Sequence, residues 1–72
     1  MFSKYFPAIH YFVENYGEIE IGEDEKTNSL IRLKDDGGIL YEDRGSETID
    51  DAIAEVEDFL KDYFFENYEL TI

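Results

Sequence analysis

The stretch Asp35-Asp36-Gly37-Gly38 constrains this chain more than any other. Asp-Gly suits a tight β-hairpin, whose turn needs residues that tolerate positive φ. It separates two strand-like runs, residues 29–35 and 39–43, which therefore read as antiparallel neighbours. In the first, Ile31 and Leu33 face inward, Arg32 and Lys34 outward. In the second, the inward set is either Ile39 with Tyr41 or Leu40 alone, and the first is preferred. Upstream, Glu18-Ile19-Glu20-Ile21-Gly22 alternates throughout, so residues 18–22 form a third strand with Ile19 and Ile21 inward. Residues 23–28 are a polar connection.

Helical spacing brackets these strands. Tyr5, Phe6, Ile9, Phe12, Val13 and Tyr16 fall on one face at 3.6-residue spacing, which predicts a helix over 3–16. Pro7 fits its first turn, where a missing N–H costs little. Tyr11 and Glu14 point away from that face. Gly17 reads as a stop in the left-handed conformation. After the loop Arg44-Gly45-Ser46-Glu47, Thr48 opens a second helix, with Asp51 three residues on in a capping-box position. Ile49, Ala52, Ile53, Val56, Phe59, Leu60 and Tyr63 form its apolar face, and Asp50 and Asp51 suit the helix dipole. It should end near Tyr68, leaving Glu69-Leu70-Thr71-Ile72 as a short strand or a frayed tail. The order α-β-β-β-α predicts an α+β two-layer sandwich, with two helices on one face of a three-stranded antiparallel sheet.

Seventy-two residues make one domain, 1–72. A chain this short buries a small core and usually needs reinforcement. With no cysteine, disulfides and thiolate metal sites are excluded, and a reducing compartment is favoured. Dense packing of six Phe and six Tyr, or self-association, remains. The N-terminal residues show no secretory pattern, and no apolar run is long enough to span a bilayer. The expectation is a cytoplasmic protein.

Nothing in the chain carries a catalytic pattern. Ser3, Ser29 and Ser46 lie outside nucleophile motifs, and 19 acids make carboxylate pairs unavoidable. His10, the single histidine, reads as a boundary residue beside Phe6 or Val13; a metal or general-base role needs partners at defined spacing. Glu23-Asp24-Glu25 and Asp35-Asp36-Gly37 lack the spacing of a calcium loop. The reading is no enzyme, no cofactor and no dedicated metal site.

Charge points to partners. The net formal charge of −13 repels nucleic acid and anionic membranes, and attracts basic surfaces. Arg32 and Lys34 should be neutralised on the sheet by Glu18, Glu20 and Glu42. The excess then lies on the second helix and the loops. Asp51, Glu55, Asp58 and Asp62 repeat at i, i+4, i+7 and i+11, a stripe about 16 Å long at 1.5 Å per residue. It is either a solvated face or a rod of carboxylates that docks on a basic surface, such as a nucleic-acid-binding protein, as a DNA mimic or inhibitor. Phe64, Phe65 and Tyr68 are the second anomaly. The helix's core face is already filled, and an exposed aromatic on a small domain marks a contact. The C-terminal tail, a homodimer partner or another protein could cover it, which gives the alternative of a structural or accessory subunit.

Tyr16-Gly17-Glu18-Ile19-Glu20-Ile21-Gly22-Glu23-Asp24-Glu25, with Ser29-Leu30-Ile31-Arg32 and Asp36-Gly37-Gly38-Ile39-Leu40-Tyr41-Glu42, resembles a family of small acidic bacterial proteins, many of them cyanobacterial. In that pattern a helix ending Tyr-Gly leads into Ile-Glu-Ile-Gly, an Asp-Glu step, an Arg-bearing strand and an Asp-x-Gly-Gly hairpin. Tyr41 stands where the pattern has Trp. The resemblance spans most of the chain and implies the fold without an activity. In layout and acidity, though in no motif, the chain is also similar to small anti-CRISPR proteins that imitate DNA.

Overall fold

The computed structural model describes residues 4–26 and 28–72, so Ser3, the expected start of the first helix, and Thr27, within the expected 23–28 connection, lie outside the described residues. The elements are α1 (Pro7–Asn15), β1 (Glu18–Asp24), β2 (Ser29–Asp35), β3 (Gly38–Glu42) and α2 (Ile49–Tyr68). The strands form one antiparallel sheet in the order β1-β2-β3, and both helices pack on its inner face against each other.

Ile31 and Leu33 of the central strand are fully buried, as their alternation requires. Ala52, Val56, Leu60 and Phe64, at successive i+4 steps of α2, close over them with Ala8, Ile9 and Phe12 of α1. α1 is shorter than the apolar spacing suggests, because it starts at Pro7 rather than at 3. Tyr5 therefore precedes the helix and is exposed, while Val13 and Tyr16 lie at its open side. Tyr11, expected to point away, turns toward α2 and meets the Phe64 ring edge-on at 5.3 Å.

Two bulges re-aim the strands. β2 pairs Leu33 with Tyr41 but Lys34 with Ile39, so Leu40 is unopposed. A one-residue bulge sends the residues on its two sides to opposite faces. Tyr41 is thus inward, stacked on Phe59 at 3.9 Å, whereas Ile39 is outward and 56% exposed, against the expectation that both face the core. In β1 the register shifts between Ile21 and Asp24. Ile21 shares the inner face with its partner Ile31 but stays 48% exposed, because the helices leave that end of the edge strand uncovered. Gly22, with φ 150°, aims its carbonyl at Arg32 Nη2, 2.7 Å away.

Gly17 ends α1 for a reason other than the expected one. Its φ is not positive; instead a Cβ there would lie 2.0 Å from the Lys34 carbonyl oxygen. Glycine is needed so that the chain leaving α1 can cross close to β2. At the other helix, Thr48 caps as expected, its Oγ1 accepting from Asp51 N at 3.1 Å. α2 ends at Tyr68, and Glu69 adopts the left-handed conformation, φ 53°. Leu70 N donates back to Phe64 O at 3.1 Å, and Leu70 and Ile72 pack on the core, so the tail is docked, neither strand nor frayed.

Three buried polar residues fasten neighbouring segments within each layer. Asp43 accepts from Leu30 N (2.6 Å), Ile31 N (2.7 Å) and Ser46 N (3.1 Å). Burial pushes its carboxyl up, but these backbone N–H groups outweigh burial and hold it below the usual carboxylate range. Glu57 accepts from Ala8 N and Ile9 N, each at 2.9 Å. Arg32, though on the outer face, is 5% exposed: its guanidinium donates to Glu20, to Ser29 and to the Gly22 carbonyl.

Candidate functional site

The basic residues of the sheet face converge on one acid. Glu20 takes both basic residues of β2: Arg32 Nε donates to its Oε1 at 2.7 Å and Lys34 Nζ to its Oε2 at 2.8 Å. Lys34 and then Arg32 hold the Glu20 carboxyl below the usual range, and Glu20 in turn raises the Lys34 ammonium. Lys61 lies 3.9 Å from the buried Glu57. Of the three acids expected to neutralise the sheet face, Glu20 alone forms ion pairs among the described residues; Glu42 instead accepts from Ser29 Oγ at 3.3 Å.

Of the stripe predicted on α2, Asp51, Asp58 and Asp62 are exposed and, among the described residues, in no ion pair. Glu55 is not part of that free surface. Its Oε2 accepts from the Tyr41 hydroxyl at 2.6 Å and from Arg44 N at 3.0 Å, and its Oε1 from Ser46 Oγ at 3.4 Å. It fastens α2 to the end of β3. Burial and then the Glu55 carboxylate push the Tyr41 hydroxyl up to about 12.

The predicted aromatic contact also divides. Phe64 is fully buried in the core, so it cannot meet a partner. The i+4 series from Ala52 draws it inside, and the tail folds against it. Phe65 is 60% exposed and Tyr68 49%. At 3.6 residues per turn, Asp51, Asp58, Asp62 and Phe65 fall within an arc of about 60°, extending about 21 Å along the axis. Phe65 therefore continues the carboxylate stripe, and the outer face of α2 combines three free acids with one aromatic.

The sequence reading missed a ring cluster at the C-terminal ends of both helices. The Tyr16 and Tyr68 centroids are 5.5 Å apart, those of Tyr63 and Tyr68 6.1 Å, and Tyr16 meets Phe64 at 5.3 Å. Its signal was the recurrence of Tyr near each helix end, Tyr16 and Tyr68, but nothing local shows that the two ends meet. His10 remains a boundary residue, its Nε2 4.0 Å from Glu14 one turn on.

Among the described residues no group of three or more His, Asp or Glu is gathered as metal ligands, and no helix is long and apolar enough to cross a membrane. Comparison with known protein families, with curated proteins and with solved structures returns no match.

Proposed function

We propose that this chain is a non-enzymatic acidic module of the cytoplasm that occupies a basic surface on a partner protein, using the outer face of α2. The observation that carries the reading is the exposure of Asp51, Asp58 and Asp62 on one helix face, together with Phe65 and in no ion pair among the described residues, Lys61 of the same helix lying against Glu57 instead. Carboxylates give attraction and orientation at long range, and a protruding aromatic gives contact area at the centre of an interface. A partner that normally holds nucleic acid presents the right surface.

Imitation of DNA is the sharper form of this reading, and charge spacing limits it. Duplex DNA carries one charge per about 1.7 Å of axis, or about 3.4 Å per strand. Three carboxylates over about 16 Å of helix are sparser than a single strand. The stripe matches a few phosphate contacts, with Phe65 supplying affinity that salt does not screen.

A second reading, a structural subunit that self-associates, is favoured by the exposure of Phe65 and Tyr68 alone. Repulsion between two chains of net charge −13 opposes it.

The test is retention of host-lysate proteins on immobilised domain, eluted by a salt gradient, beside the D51N/D58N/D62N variant. Basic, nucleic-acid-binding proteins released at moderate salt from the parent, and absent from the variant, are expected. Equal retention by both would end the proposal. Recovery of only the same chain, held through high salt, would establish the second reading.

A further inference from the structure

A cavity of about 270 Å³ opens between the C-terminal ends of the two helices and the β2–β3 hairpin, lined by Phe12, Tyr16, Asp35, Asp36, Tyr63 and Tyr68, with Gly37 at its rim. Each element is there for a reason already visible in the fold. Tyr16 ends α1 just before the chain crosses β2 at Gly17. Tyr68 ends α2 just before the tail turns back to the core. Asp35 and Asp36 belong to the hairpin turn, where Asp35 Oδ1 accepts from Gly37 N at 2.8 Å.

Three sources of negative potential converge on this space. The first is the pair of hairpin carboxylates. The second is the two helix C-termini, each carrying a partial negative charge. Neither helix has a basic residue in its last turn to offset it. The third is the tyrosine rings, whose π faces attract cations. Burial pushes the Tyr63 hydroxyl up, with the Tyr68 hydroxyl and then the Asp35 carboxylate adding to it.

The kind of cation follows from the lining. A calcium ion takes six to eight oxygens, and magnesium keeps near-ideal octahedral geometry. Two aspartates, one with an oxygen engaged by Gly37, are a poor shell for either, and aromatic rings offer neither ion any ligand. Rings and carboxylates together suit a large, weakly hydrated cation. Guanidinium is the best match, because it stacks on aromatic faces and binds a carboxylate through paired N–H groups. Size narrows the source. Pockets that enclose a small molecule run from about 300 to 1,000 Å³. This cavity lies at the low end of that range, enough for an arginine side chain with its stem.

We propose that the cavity formed by Tyr16, Tyr63, Tyr68, Asp35 and Asp36 is a subsite for an arginine side chain of the partner protein. The existence of a basic partner rests on the function proposed above; the preference of the cavity for guanidinium does not. The arginine stem lies along the rings, and the guanidinium reaches the hairpin carboxylates. The arginine docks beside the acidic face of α2 and adds a shape-selective contact to an attraction otherwise set by charge.

The experiment is an amide-resolved NMR titration with two probes, N-acetyl-arginine amide and a hexa-arginine peptide, with N-acetyl-lysine amide and tetramethylammonium as controls. The arginine amide is expected to move the Gly37, Asp36 and Tyr68 amides saturably and to bind at least about fivefold more tightly than either control. Tyr68→Leu and Asp35→Asn, together, should weaken it at least tenfold while leaving remote amides such as Val56 in place. D51N/D58N/D62N should leave it unchanged. Arginine amide shifts that are absent, that scatter over all acids, or that survive the double variant would overturn the subsite. A subsite that binds arginine amide while hexa-arginine gains nothing from the helix acids would instead count against the acidic-face reading. Preferential binding of tetramethylammonium would replace arginine with a quaternary ammonium ligand.

Discussion

Glu57, midway along α2, holds the first turn of α1: its Oε2 accepts from Ala8 N and its Oε1 from Ile9 N, both at 2.9 Å. These are two of the amides a helix start leaves without internal partners. Phe6, at the N-cap, has no side-chain oxygen to offer them, so the cap comes from 48 and 49 residues away. A carboxylate at this end also meets the positive pole of the helix. Glu57→Leu leaves both buried amides unpaired and should cost about 3–5 kcal/mol. Glu57→Gln keeps one acceptor and should cost about half as much. Against a total of roughly 4–11 kcal/mol expected at this size, the leucine variant should melt far earlier or fail to fold. Urea unfolding of both variants measures this, and a leucine variant as stable as the parent would show that α1 needs no such cap.

Gly17 and Lys34 set the other end of α1. A methyl group at Gly17 would sit 2.0 Å from the Lys34 carbonyl oxygen and 3.0 Å from Phe12 Cζ. The first obstacle is backbone and cannot rotate away. Gly17→Ala should therefore destabilise by about 2–3 kcal/mol. An ordinary helix-end glycine without positive φ would tolerate the change, so a thermal melt distinguishes the two.

Glu69 shows the opposite imbalance. It adopts φ 53° to let its N–H and that of Leu70 reach the last carbonyls of α2. The left-handed conformation costs a side-chain-bearing residue roughly 1–2 kcal/mol. Glu69→Gly should recover about 1 kcal/mol of this, partly offset by the freedom glycine adds to the unfolded chain. For a chain of this length, 1 kcal/mol is about 4–8 °C in Tm. A lower Tm would mean that the Glu69 side chain itself stabilises the turn.

Two limbs of the pH profile follow from Asp43 and Tyr41. The Asp43 carboxyl is depressed in the fold by backbone N–H groups. Its contribution is present above the ordinary aspartate value of about 3.9 and is lost as pH falls through the lower folded value. Tyr41 is raised to about 12, so its contribution is full below the ordinary value near 10 and is lost between there and 12. Between pH 7 and 5, protonation relieves repulsion among the acids and stability should rise slightly. Melts across pH should show Asp43→Asn with a flatter acid limb, and Tyr41→Phe with a flatter alkaline one.

The legible parts of this fold are those fixed by local pattern. Ile31 and Leu33 alternate with Arg32 and Lys34, and that alternation alone set the central strand and the salt-bridged outer face. What escaped depends on contacts between distant residues. The bulge at Leu40 leaves no mark in composition, yet it sends Ile39 outward. Phe64 was legible after all, because it continues the i+4 series Ala52, Val56, Leu60, while Phe65, about 100° further round, falls on the outer face. Glu57 could have been flagged, because around the helix it falls between Phe64 and Tyr68, at the edge of the apolar arc, where a lone carboxylate needs a partner.

Glu55 and its stripe neighbours separate structure from function by experiment. All four carboxylates share one face by spacing, but only Glu55 bonds to Tyr41, Arg44 and Ser46. Glu55→Gln should loosen the β3–α2 junction and cost about 1–2 kcal/mol, since a charged acceptor is replaced by a neutral one. Neutralising Asp51, Asp58 and Asp62 gives up the favourable place of Asp51 in the first turn but relieves repulsion in a chain of net charge −13, the larger effect, so D51N/D58N/D62N should match or exceed the parent in stability at low salt. The difference should shrink as salt screens the remaining charge over about 10 Å at 0.1 M. If the triple variant is instead the less stable one, helix-dipole or local contacts of these acids outweigh their mutual repulsion, and loss of binding in that variant could no longer be assigned to charge alone.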